Sequence, residues 1–270
     1  MSHQMMLITS TQNKLYKKFK SLNLKKNREI EGLFILEGQR YVDTALAMGY
    51  VFDAIIFDGS TWEAQVESNK DQMYLKSCPV YTMTSTMIKE LTQTEQSQGI
   101  IGISHIQTNS FDIESFGHNV LFLDRIQDPG NLGTIIRTAD AAGFNTILMA
   151  KGTVDPYNPK VVRSTAGSIL NVRLLEVNEK IGALNSMKES GFRVVVTALE
   201  HASDYNEPKN YGEKNCIVIG NEANGVSSEI IDIADVRVKI PIVGKAESLN
   251  ASVAAALMMY KAREIMDGRS

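Results

Sequence analysis

The sequence predicts an α/β protein of two domains: a small front domain, then a larger one built on a mainly parallel sheet. Three observations carry this. Short apolar runs alternate with helix-length stretches along most of the chain, the pattern of buried strands covered by helices. The alternation breaks between Thr108 and His118, where Asn, Ser, Asp and Gly occur without periodicity. Beyond that break it restarts with more strongly apolar strands. The 270 residues therefore divide into a domain at 1–107, a linker at 108–118 and a domain at 119–270.

Taken in order, Leu33–Glu37 reads as a strand, Gln39–Met48 as a helix and Val51–Phe57 as a strand. Thr61–Asn69 is expected to be helical, Pro79–Met83 extended, Ser85–Leu91 helical and Ile100–Ile106 a strand. In the second domain, Val120–Asp124, Thr146–Ala150, Val172–Val177, Arg193–Ala198, Cys216–Gly220 and Val236–Ile240 read as buried strands. Helices are expected over Leu132–Ala142, Pro159–Ile169, Glu179–Ser190 and Ser227–Ala234, with a long one at Leu249–Met266.

Bulk composition excludes several classes. With 43% hydrophobic and 22% charged residues, the chain falls in the range of soluble globular proteins. No apolar run approaches the roughly 20 residues that span a bilayer, and Met1–Ser10 lacks the plan of a signal peptide. The expected compartment is the cytosol. Cys78 and Cys216 are far apart, so buried thiols are expected there, not a disulfide. His3, His105, His118 and His201 are scattered, and no metal site is expected. The net charge of -3 does not advertise nucleic-acid binding, but its distribution is uneven. Lys14, Lys17, Lys18, Lys20, Lys25, Lys26 and Arg28 all precede the first acid, Glu29. Such a run is either a solvated helix face or a patch that grips phosphates through charge.

Three motifs in the second domain concentrate chemistry. The first runs from Asp124 to Ala139 and includes Asp128-Pro129-Gly130-Asn131-Leu132-Gly133 and Arg137-Thr138-Ala139. It follows a strand and opens a helix whose inward stripe is Leu132, Ile136, Ala139 and Gly143. Arg137 lies off that stripe. Alone, Asn131 could simply cap the helix and Arg137 make a surface ion pair. The second, Gly220-Asn221-Glu222-Ala223-Asn224-Gly225, ends a strand at a glycine that permits close approach or unusual backbone angles. It leaves Glu222 past the strand's carboxyl end, where α/β sheets tend to bind ligands. Alone, it could be a turn with a solvent-facing acid. The third contains Ile240-Pro241 and Gly244-Lys245-Ala246-Glu247-Ser248-Leu249-Asn250, then an Ala-rich helix. Ser248 or Asn250 would cap that helix. The glycine spacing is not GxGxxG and no P-loop is present, which disfavours a nucleotide-binding Rossmann enzyme.

In order and spacing these motifs closely resemble those of the SpoU (TrmH-like) family: Asn-x-Gly-x-x-x-Arg-Thr-Ala, Gly-Asn-Glu-x-x-Gly and a Ser-Leu-Asn helix start. The resemblance covers Val120 to Arg263, including Asp155-Pro156-Tyr157-Asn158-Pro159-Lys160 and Arg163-Ser164-Thr165-Ala166-Gly167-Ser168. Ile8-Thr9-Ser10, Gln12-Asn13 and Phe34-Ile35-Leu36-Glu37-Gly38 resemble the substrate-binding domain that often precedes it. Ala223-Asn224 departs from the Gly and Lys that relatives often carry, but leaves Gly225 in place.

The resemblance implies an RNA ribose 2′-O-methyltransferase that uses S-adenosylmethionine. It implies a C-terminal trefoil-knot (SPOUT) domain, which periodicity would never suggest. The thin Ala-rich segment is compatible with threading. It further implies a homodimer formed through that domain. Carried over, Gly220, Ile240 and Leu249 would line the cofactor, and Asn131, Arg137, Glu222, Ser248 and Asn250 would form the catalytic group. Since a guanidinium stays charged in proteins, Arg137 is expected to orient phosphate and hydroxyl, and the base is left open. Lys14, Lys17, Lys18, Lys25, Lys26 and Arg28 would bind RNA. The two-domain layout resembles that of ribosomal-RNA methyltransferases, so the expected substrate is large-subunit (23S) ribosomal RNA, with guanosine the expected nucleoside. Transfer RNA is an alternative substrate. A non-catalytic RNA-binding protein on the same scaffold is a second alternative, disfavoured by the joint presence of Arg137, Glu222 and Asn250.

Overall fold

The computed structural model describes residues 6–60, 74, 76–94 and 97–268. The helix expected at Thr61–Asn69 lies outside the described residues. The chain divides into two compact units, Met1–Thr108 with Tyr157–Arg163, and Asn109–Pro156 with Ser164–Ser270.

In the first unit, strands β1 (Met6–Ile8), β2 (Leu33–Glu37), β3 (Phe52–Asp58), β4 (Val80–Met83) and β5 (Ile100–His105) form a sheet ordered β1-β4-β3-β5-β2. β4 runs parallel to β1 and β3, while β5 runs antiparallel to β3 and β2. Helices α1 (Lys14–Ser21), α2 (Lys25–Glu31), α3 (Gln39–Ala47) and α4 (Ser85–Thr92) are among its other described elements. Tyr16 and Phe19 of α1 join Met87, Ile88 and Leu91 of α4 against Ile35, Ile56, Ile101 and Ile103 of the sheet. The segment Tyr157–Arg163 belongs to this unit. The Tyr157 ring lies 5.0 Å from that of Phe34, and Arg163 Nη1 donates to the Thr92 carbonyl at 2.8 Å.

The basic stretch proves to be two helices, and it corrects one expected phosphate contact. Arg28 is only 3% exposed, and its guanidinium donates to the Leu22 carbonyl at 2.6 Å. It ties α2 to the end of α1 and is not available to RNA as it stands. Lys18 is partly buried between Asp53 at 3.1 Å and Glu31 at 3.5 Å. Lys14, Lys17, Lys25 and Lys26 face solvent.

The second unit holds β6 (Asn119–Asp124), β7 (Thr146–Ala150), β8 (Arg173–Val177), β9 (Phe192–Thr197), β10 (Ser203–Asp204), β11 (Lys214–Gly220) and β12 (Val236–Lys239). They form an all-parallel sheet ordered β10-β12-β9-β11-β6-β7-β8. Helices α5 (Pro129–Ala142) and α9 (Ala251–Asp267) pack together on one face. On the other face, α7 (Lys180–Glu189) and α8 (Ser228–Ile233) bury Leu184, Met187 and Ile230 against Phe122, Val194 and Val218. From β6 the chain moves out through β7 and β8, then crosses back to β9 on the far side of β11. The direction therefore reverses between β6 and β11, and an open parallel sheet forms its ligand crevice at the carboxyl ends of such strands. The expected helix Pro159–Ile169 is instead α6 (Pro159–Ser164), a turn, and a 3₁₀ turn at Ser168–Leu170. Ala166 and Gly167 take positive φ values of 51° and 96°, which an α-helix cannot accommodate. Cys78 in the first unit and Cys216 in the second are both buried free thiols, and burial pushes each up to about 12.

Candidate active site

Helix α5 begins three residues earlier than the apolar stripe implies. Asp128 is its N-cap, accepting from the Asn131 amide at 2.7 Å, and Pro129 fills the first helical position. Asn131 is therefore not the cap, and its side chain is left for another task. Helix α9 starts after Leu249, capped by Asn250, whose Oδ1 accepts from the Ser252 and Val253 amides at 2.9 and 3.4 Å. Ser248 makes no cap. It lies in the exposed approach to the helix.

The three motifs meet in one chain of hydrogen bonds. Glu222 accepts from Asn131 Nδ2 at 2.9 Å and from the Gln127 and Asp128 amides at 3.3 and 3.4 Å. Asn250 Nδ2 donates to Asn131 Oδ1 at 2.9 Å. Burial works against ionising Glu222, but the bonds from Asn131, Gln127 and Asp128 outweigh it and hold the carboxyl below its usual range. An ionised carboxylate only accepts, so Asn131 must turn its amide nitrogen toward Glu222 and its oxygen toward Asn250. Asn250 must then aim its nitrogen at Asn131 and its oxygen at the helix amides. The whole relay is oriented by one charge.

Arg137 lies six residues beyond Asn131, about 9 Å along the helix axis. With Thr134 and Ala141 it forms the exposed face of α5, and among the described residues it has no ion pair or hydrogen bond. Gly220 ends β11 paired with Asp124, the last residue of β6. A Cβ there would strike the backbone of Gly225 and Val226. The close approach that this glycine permits is made by its own loop, which doubles back through an Asn221–Gly225 bridge.

Beside the relay, a cleft of about 650 Å³ opens at the carboxyl ends of β9, β11 and β12. Gly220, Glu222, Ile240, Ser248 and Leu249 all line it; Asn131, Arg137 and Asn250 do not. The structure therefore brings the expected cofactor residues together and sets the relay along the cleft's border. Thr197, Ala198 and Leu199 also line it and were not anticipated. They end a strand that the sequence does show, so the crevice rule applied to β9 would have found them. Asn221 lines it too and was given no role by the sequence. Asn221 Nδ2 donates to the Arg125 carbonyl at 2.8 Å and its Oδ1 accepts from the Ala223 amide at 2.9 Å, which shapes the loop from within.

The family model described as the SpoU rRNA Methylase family matches residues 118–260, the span that contains all three motifs and the cleft. The chain belongs to this family. A second model, the MRM3-like substrate binding domain, matches residues 13–102 ahead of the SpoU segment. The 23S rRNA (guanosine(2553)-2′-O)-methyltransferase RlmP of Bacillus subtilis (strain 168) is 33% identical, over 95% of this chain and 98% of its own. The crystal structure of an AdoMet-bound rRNA methyltransferase from Sinorhizobium meliloti is similar at a TM-score of 0.86 and 29% identity, covering 96% of this chain and 98% of that one. The SpoU methyltransferase AviRb from Streptomyces viridochromogenes, solved with AdoMet, gives 0.81 at 26% identity, covering 94% and 98%. These SpoU relatives match across both units, not over the cleft-bearing unit alone.

Proposed function

We propose that the chain transfers the methyl group of S-adenosylmethionine to a ribose 2′-hydroxyl of ribosomal RNA, with a guanosine of the large-subunit 23S RNA as target. The observation that carries this is the Glu222–Asn131–Asn250 relay bordering a cleft at the carboxyl ends of β9, β11 and β12, next to the sheet's switch point. The cleft fits the cofactor. Its volume lies in the range of small-molecule sites, and it offers apolar walls from Ile219, Val226, Ile240 and Leu249 together with strand-end backbone. Bound there, S-adenosylmethionine supplies an electrophilic methyl group.

The residues of the chain do the rest. Gly220, Ile240 and Leu249 hold the cofactor through backbone and apolar contact. Ser248, on the cleft's border, and Asn250 position the ribose and hold the loop. Asn131 couples Asn250 to Glu222. Arg137 orients the phosphate and hydroxyl and stabilises the charge that develops on the ribose oxygen. Recognition of that hydroxyl selects RNA over DNA. We further infer a trefoil knot formed by the C-terminal segment, since Lys239–Ala251 returns along the cleft beside the 220–226 loop, as threading would require. A homodimer through the second domain (119–270) is supported by Val253, Leu257 and Tyr260, large apolar residues exposed at helical spacing on α9. A purely monomeric mass in sedimentation would remove that part. No helix among the described residues is long and apolar enough to cross a membrane, and the reading places the chain in the cytoplasm with its RNA.

The test is transfer of radiolabelled methyl to 23S RNA, to the same RNA with 2′-deoxy guanosines, and to transfer RNA. Label on the first alone is the expected result. Equal label on the deoxy RNA would mean that no guanosine 2′-hydroxyl is the acceptor, leaving a base or the ribose of another nucleoside, and label confined to transfer RNA would reassign the substrate.

The front domain (1–107) is proposed to grip phosphates through Lys14, Lys17, Lys25 and Lys26, with Lys18 and Arg28 acting as structural supports. Changing those four lysines to Gln is expected to weaken RNA binding and flatten its logarithmic salt dependence by up to about 3.6, at roughly 0.7–0.9 per phosphate contact. Cofactor affinity should not move. An unaltered salt slope would make α1 and α2 ordinary solvated helices.

A further inference from the structure

We propose that Lys180, which belongs to none of the three motifs, is a positioning residue for methyl transfer, clamping the exit of the Gly220–Val226 loop through buried Asp124. This rests on the reading that the loop holds the cofactor.

The loop is secured at three points. Its entrance is held by Asn221 on the Arg125 carbonyl and its tip by Glu222 on Asn131. Its exit is held by the Ser227 amide, which donates to Asp124 Oδ2 at 2.8 Å. Entrance and exit thus both report to the Asp124–Arg125 pair. Arg125 itself holds a positive φ of 63°, rare for a residue with a side chain, which turns its carbonyl toward Asn221.

Asp124 is fully buried, and a lone carboxylate there would be untenable. Arg125 Nε donates to its Oδ1 at 3.1 Å, and Lys180 Nζ stands 3.5 Å from the same oxygen. The Lys180 ammonium also donates to Ser227 Oγ at 3.0 Å and pairs with Glu229 at 2.6 Å. It therefore touches the anchor, the anchored residue and the start of α8 together. Burial opposes ionisation of Asp124, but the bonds from the Ser227 backbone and hydroxyl and from Arg125, with the Lys180 charge, hold its carboxyl below the usual range. Ser227 precedes α8 without capping it through its side chain. Its hydroxyl is committed to the clamp.

The consequence is specific. Loosening the exit frees Val226 and Gly225 from their packing under Gly220, and the cofactor wall moves while the RNA-gripping surface does not. The experiment is calorimetric titration of the full chain with S-adenosylmethionine, beside KM values for cofactor and RNA, for wild type, K180M, K180R, S227A and the double variant D124N/K180M. K180M is expected to weaken cofactor Kd and KM about tenfold with RNA KM unchanged. K180R should recover most of that loss. The double variant should bind better than K180M alone, because it removes the buried charge that K180M leaves with Arg125 as its one cationic partner. Cofactor Kd within twofold of wild type in both K180M and S227A overturns the clamp. If K180M does not fold, S227A carries the test, since it loosens the exit without stranding a charge. It should weaken cofactor binding about threefold, and no loss overturns the proposal. A wild-type chain that binds no cofactor would overturn the site reading and the clamp together, whereas intact wild-type binding with unaltered variants overturns the clamp alone.

Discussion

Arg137→Ala is expected to lower the single-turnover rate of methyl transfer at least 10²-fold, roughly 2.7 kcal/mol, with RNA affinity falling much less. Arg137 holds an exposed position on α5 with no ion pair among the described residues, one helix face away from the Asn131 relay. An exposed charge without a protein partner among the described residues is available to meet a phosphate. On the proposed role, its removal would strip stabilisation from the reacting state while disturbing nothing in the core, since Arg137 is exposed. Arg137→Lys is the sharper variant, because lysine keeps the charge but loses the planar fork that can hold a phosphate and a hydroxyl together. If both variants methylate at near wild-type single-turnover rates, Arg137 has no chemical role and the assignment is wrong.

Asn250→Ala is expected to be of similar severity, but through two separable losses. One end of this amide caps α9, worth roughly 1 kcal/mol of stability; the other donates to Asn131. Asn250→Asp separates them. Aspartate caps as well as asparagine, so thermal stability should stay near wild type. It cannot donate to Asn131 Oδ1, however, and it sets a second carboxylate into a relay already oriented by Glu222. Activity should therefore fall with little change in unfolding temperature. If Asn250→Asp retains wild-type turnover, the link to Asn131 does no chemistry and only the cap matters.

Much of the sheet was legible because parallel strands buried on both faces are nearly continuous apolar runs, and β6, β7, β9 and β11 announce themselves that way. Helix starts were harder. The inward stripe of α5 begins at Leu132, while its first turn is Pro129-Gly130-Asn131, which carries no apolar signal, so the true cap at Asp128 was passed over. The break at Ala166-Gly167 depends on two successive positive φ angles, and the alanine that takes the first of them gives no sign of it in the sequence. The motif residues were found by their type and spacing, yet their coupling was not, because Asn131, Glu222 and Asn250 are joined only by tertiary folding. Lys180 offered no local sign at all. A single lysine opening a helix reads as solvated, and only the buried carboxylate of Asp124 gives it a purpose. Arg28 makes the converse point: charge counted along the chain cannot tell a solvent-facing cation from one bonded to a carbonyl inside.

The two thiols have a use unrelated to chemistry at the cleft. Cys78 and Cys216 sit one in each unit, both buried and both held protonated at neutral pH. An alkylating reagent can attack either one only when its surroundings open, since the thiolate is the reactive form. The chain thus carries an internal clock in each half, and the labelling rates of the two sulfurs give each half's opening free energy on its own. A cofactor that binds one half would slow the Cys216 clock and leave that of Cys78 running, a footprint of occupancy that needs neither RNA nor turnover.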